Sequence, residues 1–311
     1  MRFLRSPRRR VIAAAALAAV VVLVVAVTWP RGAAAPPLLE PYGDFVASGP
    51  RGHAVVWAVG DGADGSDRAR AVVARMRAEG VDRLLYLGDV YASTIAGILR
   101  GEGTAKDYRD RYASVYGALA KRTAPTPGNH EWPQRGDGYD PYWRRVTGRP
   151  IPAWYAFRVA GWTLLSLNSE APHGAGSAQL RWLVRRVARP GTCRLAFWHR
   201  PRFSAGRHGD QADVAPLFDA LRGHATLVVN GHDHDMQRFP PVAGITELVS
   251  GAGGHDRYSI GAARRLAFGN DSTFGALRID LRPGRARLRF VAAGGEVLDD
   301  SVVRCRQAPT A

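Results

Sequence analysis

Lysine is nearly missing from this chain. Of its 43 basic side chains only Lys106 and Lys121 are lysines, a skew read here as base composition of the coding DNA rather than as a recognition surface. No block of five like charges follows the first ten residues, so there is no polybasic arm of the kind that grips a nucleic-acid backbone, and no specific nucleic-acid partner is expected. Acids are absent from residues 1–35, which hold six arginines. Much of the formal net charge of +16 therefore sits outside the folded part, leaving 37 basic against 27 acidic residues and a net of +10. That balance suits a modest attraction to anionic substrates. No internal repeat is visible. With 46% hydrophobic and 23% charged residues over 311 positions, the chain has the composition of a globular protein that buries a substantial core, and extended disorder is excluded except at the ends.

The N-terminal stretch MRFLRSPRRRVIAAAALAAVVVLVVAVTWPRGAAAPP places five arginines in ten residues before an uncharged apolar run from Val11 to Trp29. This is the pattern of an export signal. Its length lies above the usual signal-peptide core of about 7–15 residues and close to the roughly 20 needed to span a bilayer, so residues 1–35 are read as a signal peptide or an uncleaved signal anchor holding the protein at the membrane. The arginines stay in the cytoplasm and the rest goes outside. The expected localisation is extracytoplasmic, secreted or anchored to the cell membrane facing outward. Cysteine is scarce: Cys193 and Cys305 are the only two. Both lie in the exported part, where oxidation is permitted, and a single disulfide is expected, with two separate buried thiols as the alternative.

Residues 36–52, rich in Pro, Gly and Ala, read as a linker, and residues 53–311 as the domain. Within it AVVWAVGD, SDRARAVVARMRAEG and VDRLLYLGD form a β-α-β pattern, with Ser66 as the helix cap and Gly80 as its stop. TAKDYRDRYASVYGALAKR reads as another helix, WYAFRVAGWTLLSLNS as a hairpin turning at Ala160 and Gly161, and SAQLRWLVRRVA and QADVAPLFDALRG as helices between the short apolar strands CRLAFWH, ATLVVNGHDH and ITELVSGAGG. The tail FGALRIDLRPGRARLRFVAAGGEVL alternates like an antiparallel meander. The fold class is α/β.

The polar residues collect at the strand ends: Asp61 in VGDG, Asp89 in LGDV, Asn129 and His130 in PGNHE, His199 in FWHRP, His232 and His234 in GHDH. Each alone reads as a turn or a core histidine. Together they offer hard oxygen and borderline imidazole donors, the set that binds Zn, Fe or Mn, and an open α/β sheet gathers its strand ends into one crevice.

In this order the motifs GD, GD, GNHE, a strand-end His and GHxH resemble the calcineurin-like metallophosphoesterase superfamily. The LNSE after the hairpin, WHRPRFSAG and GHDHDMQRF are similar to its purple acid phosphatase-like bacterial branch. The resemblance covers about residues 53–255. It implies a four-layer α/β/β/α sandwich of two mixed sheets after the N-terminal apolar helix. It also implies a dinuclear-metal enzyme hydrolysing small phosphorylated substrates, phosphomonoesters first, by direct attack of a metal-bound hydroxide. A phosphodiesterase or nucleotidase on the same site, and a metal-poor scaffold of the same fold, are the alternatives. By motif position Asp61 and His234 would bind the first metal, Asp89 would bridge, and Asn129, His199 and His232 would bind the second. His130 would contact phosphate and protonate the leaving oxygen, and His208 would be a secondary phosphate contact.

Two departures bear on the first metal. Where many relatives place a histidine two residues after the first aspartate, this chain has Ala63. Where the purple acid phosphatases place a tyrosine three residues after the bridging aspartate, position 92 is alanine and Tyr91 falls one residue early. Tyr91 is carried as a candidate ligand that needs the strand end to bulge. The aromatics between Trp132 and Tyr155 are carried either as a rim that selects organic leaving groups or as the cover of a sheet edge.

Overall fold

Two sheets face each other across the molecule, and the apolar faces of their strands make the core. A computed structural model describes residues 37–39, 45–46, 48–94, 101–261 and 263–306, all within one compact unit, Pro36–Ala311. The apolar run Val11–Trp29 lies outside them. Among the described residues no helix is long and apolar enough to cross a membrane.

The strands are β1 (Ala54–Val59), β2 (Arg83–Tyr86), β3 (Thr123–Pro125), β4 (Tyr155–Val159), β5 (Trp162–Ser166), β6 (Arg194–Phe197) and β7 (Leu227–Asn230). They continue with β8 (Met236–Arg238), β9 (Thr246–Ser250), β10 (Phe268–Asn270), β11 (Gly275–Arg282), β12 (Arg285–Ala292) and β13 (Val297–Arg304). The first sheet has the order β13-β12-β11-β1-β2-β3 and the second β10-β8-β9-β7-β6-β5-β4. Both are mixed. β1, β2 and β3 run parallel while β11 joins β1 antiparallel, and β5, β6, β7 and β9 run parallel while β4 and β8 are antiparallel. Parallel strands buried on both faces explain the near-continuous apolar runs AVVWAV, RLAF and LVVN in place of alternation.

The helices are α1 (Asp67–Ala78), α2 (Tyr139–Thr147), α3 (Ala178–Val187) and α4 (Ala215–Leu221). Ser66 caps α1 by accepting from the Ala69 N–H, and Ser177 caps α3 by accepting from Leu180. The stretch expected as one helix over 104–122 opens with a capping box between Thr104 and Asp107, then widens into a π turn at Tyr108–Tyr112 and tightens to 3-10 turns at Gly117–Arg122. Its tyrosines are the physical reason. Tyr108, Tyr112 and Tyr116 are all buried and pack ring to ring with Tyr86, Tyr142 and Trp143, and the changing turn width keeps all three on one face.

Part of the segment read as linker packs on the domain. Phe45 and Val46 are buried, the Phe45 ring meets Tyr155 at 5.0 Å, and the Gly49 N–H donates to Arg158 O. The tail folds as the meander β11–β13, and Cys193 and Cys305 form a disulfide across 112 residues.

Candidate metal centre

Asp61 stands two residues beyond β1, Asp89 three beyond β2, Asn129 four beyond β3, His199 two beyond β6, His232 two beyond β7, and His234 two before β8. All these ends open on the same side, where the two sheets meet. Three of the residues hold their side chains with a backbone that L residues rarely adopt: Asp61 at φ 58°, Asp89 at φ 69° and His232 at φ 73°. Such strain persists only where surrounding structure enforces it, and it clusters at functional sites. The neighbouring glycines let the loops close on each other. A Cβ on Gly128 would lie 2.1 Å from Asp89 Oδ1, and Gly88 itself takes φ 100° within reach of Gly128 backbone.

The side chains form two overlapping groups. Asp89, His199 and His232 bring one ligand atom each within 4.8 Å of one another, and so do Asp61, Asp89 and His234. Asp89 belongs to both. Asn129 joins the first group, its Oδ1 3.0 Å from His199 Nε2. The imidazoles are oriented from behind: His199 Nδ1 lies 2.8 Å from Leu87 O, and His234 Nδ1 is bonded to Asp256 O. A ring nitrogen that donates to a carbonyl leaves the other nitrogen as a lone pair, so each Nε2 points into the site as a ligand atom, the arrangement typical of metal-bound histidine.

The set fits cations on its electrostatics as well. Burial and the Asp89 charge push the Asp61 carboxyl well above the usual range, and burial, His199 and His208 push His232 far below the usual imidazole value. Burial takes His234 down to about 4. Neutral imidazoles beside crowded carboxylates lack the positive charge that a bound cation supplies. His199 Nε2 and His232 Nδ1 face each other at 3.1 Å, a contact suited to two nitrogens sharing a cation.

Tyr91 reaches the site despite its displacement. Asp89 leaves the extended conformation, but Val90 re-forms a parallel bridge with Ala63, and the Tyr91 N–H donates to Ala63 O at 3.2 Å. The Tyr91 hydroxyl then sits 3.0 Å from His234 Nε2, 3.4 Å from Asp61 Oδ1 and 3.5 Å from Asp89 Oδ2. It touches every member of the second group. Ala63, where relatives have a ligand, is the backbone prop that aims the phenol.

His130 lies at the mouth, its Nε2 3.7 Å from Asp89 Oδ2, and its Nδ1 is bonded to Glu102. Burial works against its charge, but the Glu102 contact and the Asp89 charge prevail and raise it to about 9. His208 stacks on His232 at 4.2 Å between ring centres and is tied to Asp233 through both its backbone N–H and its ring. Arg200 is paired with Glu170, so its charge serves the loop. Of the two readings of the aromatics between Trp132 and Tyr155, burial favours the cover over the rim: Tyr139, Tyr142, Trp143, Trp154 and Tyr155 are buried and Trp132 alone among them is partly open. Tyr139, Tyr142 and Trp143 are core because α2 lays its apolar face against the Tyr108–Tyr116 cluster, and Tyr155 packs on Phe45 and Phe157.

Glu131, Glu102 and Tyr258 escaped sequence reasoning, and His255, which the sequence allows to approach the same crevice, stands outside the metal set. Glu131 is buried and accepts from the Asp89 and Val90 N–H groups, fixing the aspartate turn. Glu102 comes from a loop that carries no signal of its role. His255 stacks on Tyr91 at 3.8 Å and Tyr258 on His234 at 3.9 Å. His255 follows β9 by five residues, so the strand-end argument that found the other histidines applied to it too.

A model of the calcineurin-like phosphoesterase family matches residues 54–236. The chain belongs to this family. Membership and the paired ligand groups make it a metal-dependent phosphoester hydrolase. The chain is similar to tartrate-resistant acid phosphatase type 5 of Sus scrofa, with 24% identity over 270 residues covering 74% of this chain and 78% of the relative. Among solved structures it resembles GAP50, the anchor in the inner membrane complex of Plasmodium (TM-score 0.66, 14% identity, 84% of this chain and 91% of that one). It also resembles the purple acid phosphatase PPD1 from yellow lupin (Lupinus luteus) seeds (TM-score 0.64, 16% identity, 85% of this chain and 55% of the lupin chain). These structural likenesses concern the fold, which places this calcineurin-like phosphoesterase among two-sheet α/β proteins.

Proposed function

We propose that this calcineurin-like phosphoesterase is an exported phosphatase that hydrolyses small phosphomonoesters at a dinuclear metal centre. The observation that carries the reading is the sharing of Asp89 by two ligand groups. One carboxylate common to both groups is what two neighbouring cations need, because without a shared negative charge they repel. In this reading Asp61, His234 and the Tyr91 oxygen hold one ion, Asn129, His199 and His232 hold the other, and Asp89 spans them. When bound, the ions would supply Lewis acidity and lower the pKa of water.

The remaining work belongs to side chains. His130, kept protonated by Glu102, holds a proton at the mouth and delivers it to the departing oxygen of the ester. His208, fixed by Asp233 against His232, donates to a non-bridging phosphate oxygen. Tyr258, stacked on His234 with the Arg207 guanidinium 4.9 Å from its ring centre, forms the wall that meets the organic part of the substrate. The likeness to the pig acid phosphatase supports a phosphomonoester. The disulfide and the arginine-led apolar run support export.

Metal analysis of the purified chain, with phosphate release from an aryl phosphate, a bis-aryl phosphate and a nucleotide in parallel, tests the reading. Two ions per chain and preference for the monoester are expected. Faster cleavage of the diester transfers the proposal to phosphodiesters, and absence of both ions and turnover after addition of Zn, Fe or Mn makes the chain a scaffold. Cell fractionation of a tagged chain tests export, with the tag expected outside the cytoplasm.

A further inference from the structure

At the end of the second sheet away from the metal centre lies a cavity of about 180 Å³ whose lining includes Arg158, Thr163, Arg186, Arg189 and Arg194 and no Asp or Glu. Arg158 comes from β4, Thr163 from β5, Arg186 from the last turn of α3, Arg189 from the loop that follows, and Arg194 opens β6. Arg194 and His199 sit five residues apart on and just beyond one strand, so the cavity lies about 16 Å from the metal ligands.

Four guanidinium groups line this cavity, with no acidic side chain beside them among the described lining residues. Arg194 is buried and clamped to backbone, donating to the carbonyls of Gly191 (2.5 Å), Arg189 (2.6 Å) and His224 (2.7 Å). Burial lowers the Arg186 basicity, and the charges of Arg189 and Arg158 lower it further. Like charges held close together are unfavourable unless an anion joins them. Cys193, bridged to Cys305, is part of the lining, and the Thr163 N–H donates to Cys193 O. The floor is therefore covalently braced rather than adaptable, which suits a preorganised site. The volume is below the roughly 300–1,000 Å³ of pockets that enclose drug-sized ligands, so the occupant is compact. Planar guanidinium forks match the oxygens of phosphate.

We propose that this arginine cavity is a second anion site, separate from the metal centre, that binds a phosphate group. The group is either free inorganic phosphate or pyrophosphate, or the monoester headgroup of a lipid such as phosphatidic acid. The site stands on the arginine geometry alone and survives any outcome for the substrate of the metal centre.

Equilibrium dialysis of labelled inorganic phosphate against the metal-loaded chain tests it, together with sedimentation on phosphatidylcholine vesicles with and without phosphatidic acid. The variants are Arg186→Gln/Arg189→Gln and, from the opposite wall, Arg158→Gln. All three side chains are exposed and none belongs to the catalytic set, so phosphate release at the metal centre is the control and should hold. If the occupant is free phosphate, the double variant loses one bound equivalent per chain, and Arg158→Gln weakens that equivalent about tenfold or more. If it is a headgroup, binding to vesicles containing phosphatidic acid falls in both variants while dialysis shows a single equivalent throughout. Unchanged phosphate stoichiometry together with unchanged vesicle binding overturns the proposal.

Discussion

The Tyr91 hydroxyl lies 3.0 Å from His234 Nε2 while the face of the same ring stacks on His255 at 3.8 Å. The ring is thus held by packing and the oxygen is free to serve the site, so the two roles separate in one substitution. Tyr91→Phe keeps the stack and removes the oxygen. Thermal stability is expected to change little, while affinity for the ion between Asp61 and His234 falls about 10–100-fold, read by metal titration. Equal metal affinity in the variant and the parent would show that the phenol only packs.

Asp89→Asn keeps the shape and the acceptor for the His130 N–H, 3.1 Å from Oδ1, but removes the shared charge. Elemental analysis is expected to find both ions depleted, with phosphate release down by at least about 10³-fold. Loss of one ion alone would make Asp89 an ordinary ligand of a single site.

His130 and Glu102 set a pH limit. The imidazole is raised to about 9, with the Glu102 contact and the Asp89 charge overcoming burial. The acid form that protonates the leaving group therefore persists through neutral pH and disappears as pH rises through that value. Glu102→Gln removes the carboxylate, so the alkaline limb of kcat should move down by about 1 unit or more. His130→Ala should keep both ions and lower kcat about 10²–10⁴-fold. Metal loss in that variant would instead make His130 a ligand.

Reduction, or Cys193→Ser/Cys305→Ser, opens a loop of 112 residues. A cost of about 2–4 kcal/mol is expected from the freed unfolded chain, measured by denaturant unfolding. Phosphate release at 25 °C should be unaffected, because the bridge braces the arginine end of the sheet rather than the metal end.

Much of the fold was legible because the signals were local. Ser66, Gly80 and the Ala160-Gly161 turn are chemistry acting within a few residues, and AVVWAV or LVVN announce strands buried on both faces. The short β8 and β10 gave no such sign, since their pairing partners lie 10 to 34 residues away. The aromatic segment 132–155 stayed ambiguous between rim and cover for a related reason. Composition shows that rings are present, but whether they face solvent depends on the tyrosines of 108–116 that meet them.

At the centre itself, the order of Asp61, Asp89, Asn129, His199, His232 and His234 by itself determined a strand-end constellation and the family that carries it, because each residue is tied to the end of its own apolar strand. Only the tertiary structure decided how the second group, Asp61, Asp89 and His234, is completed. A one-residue displacement of Tyr91 could be judged only after Val90 had paired with Ala63, and that pairing lies between segments distant in the chain. The same holds for Glu102 behind His130 and for the four arginines around Cys193. Their charges become a site only when separate elements fold together, since electrostatic and coordination energies depend on distance in space and not on spacing in sequence.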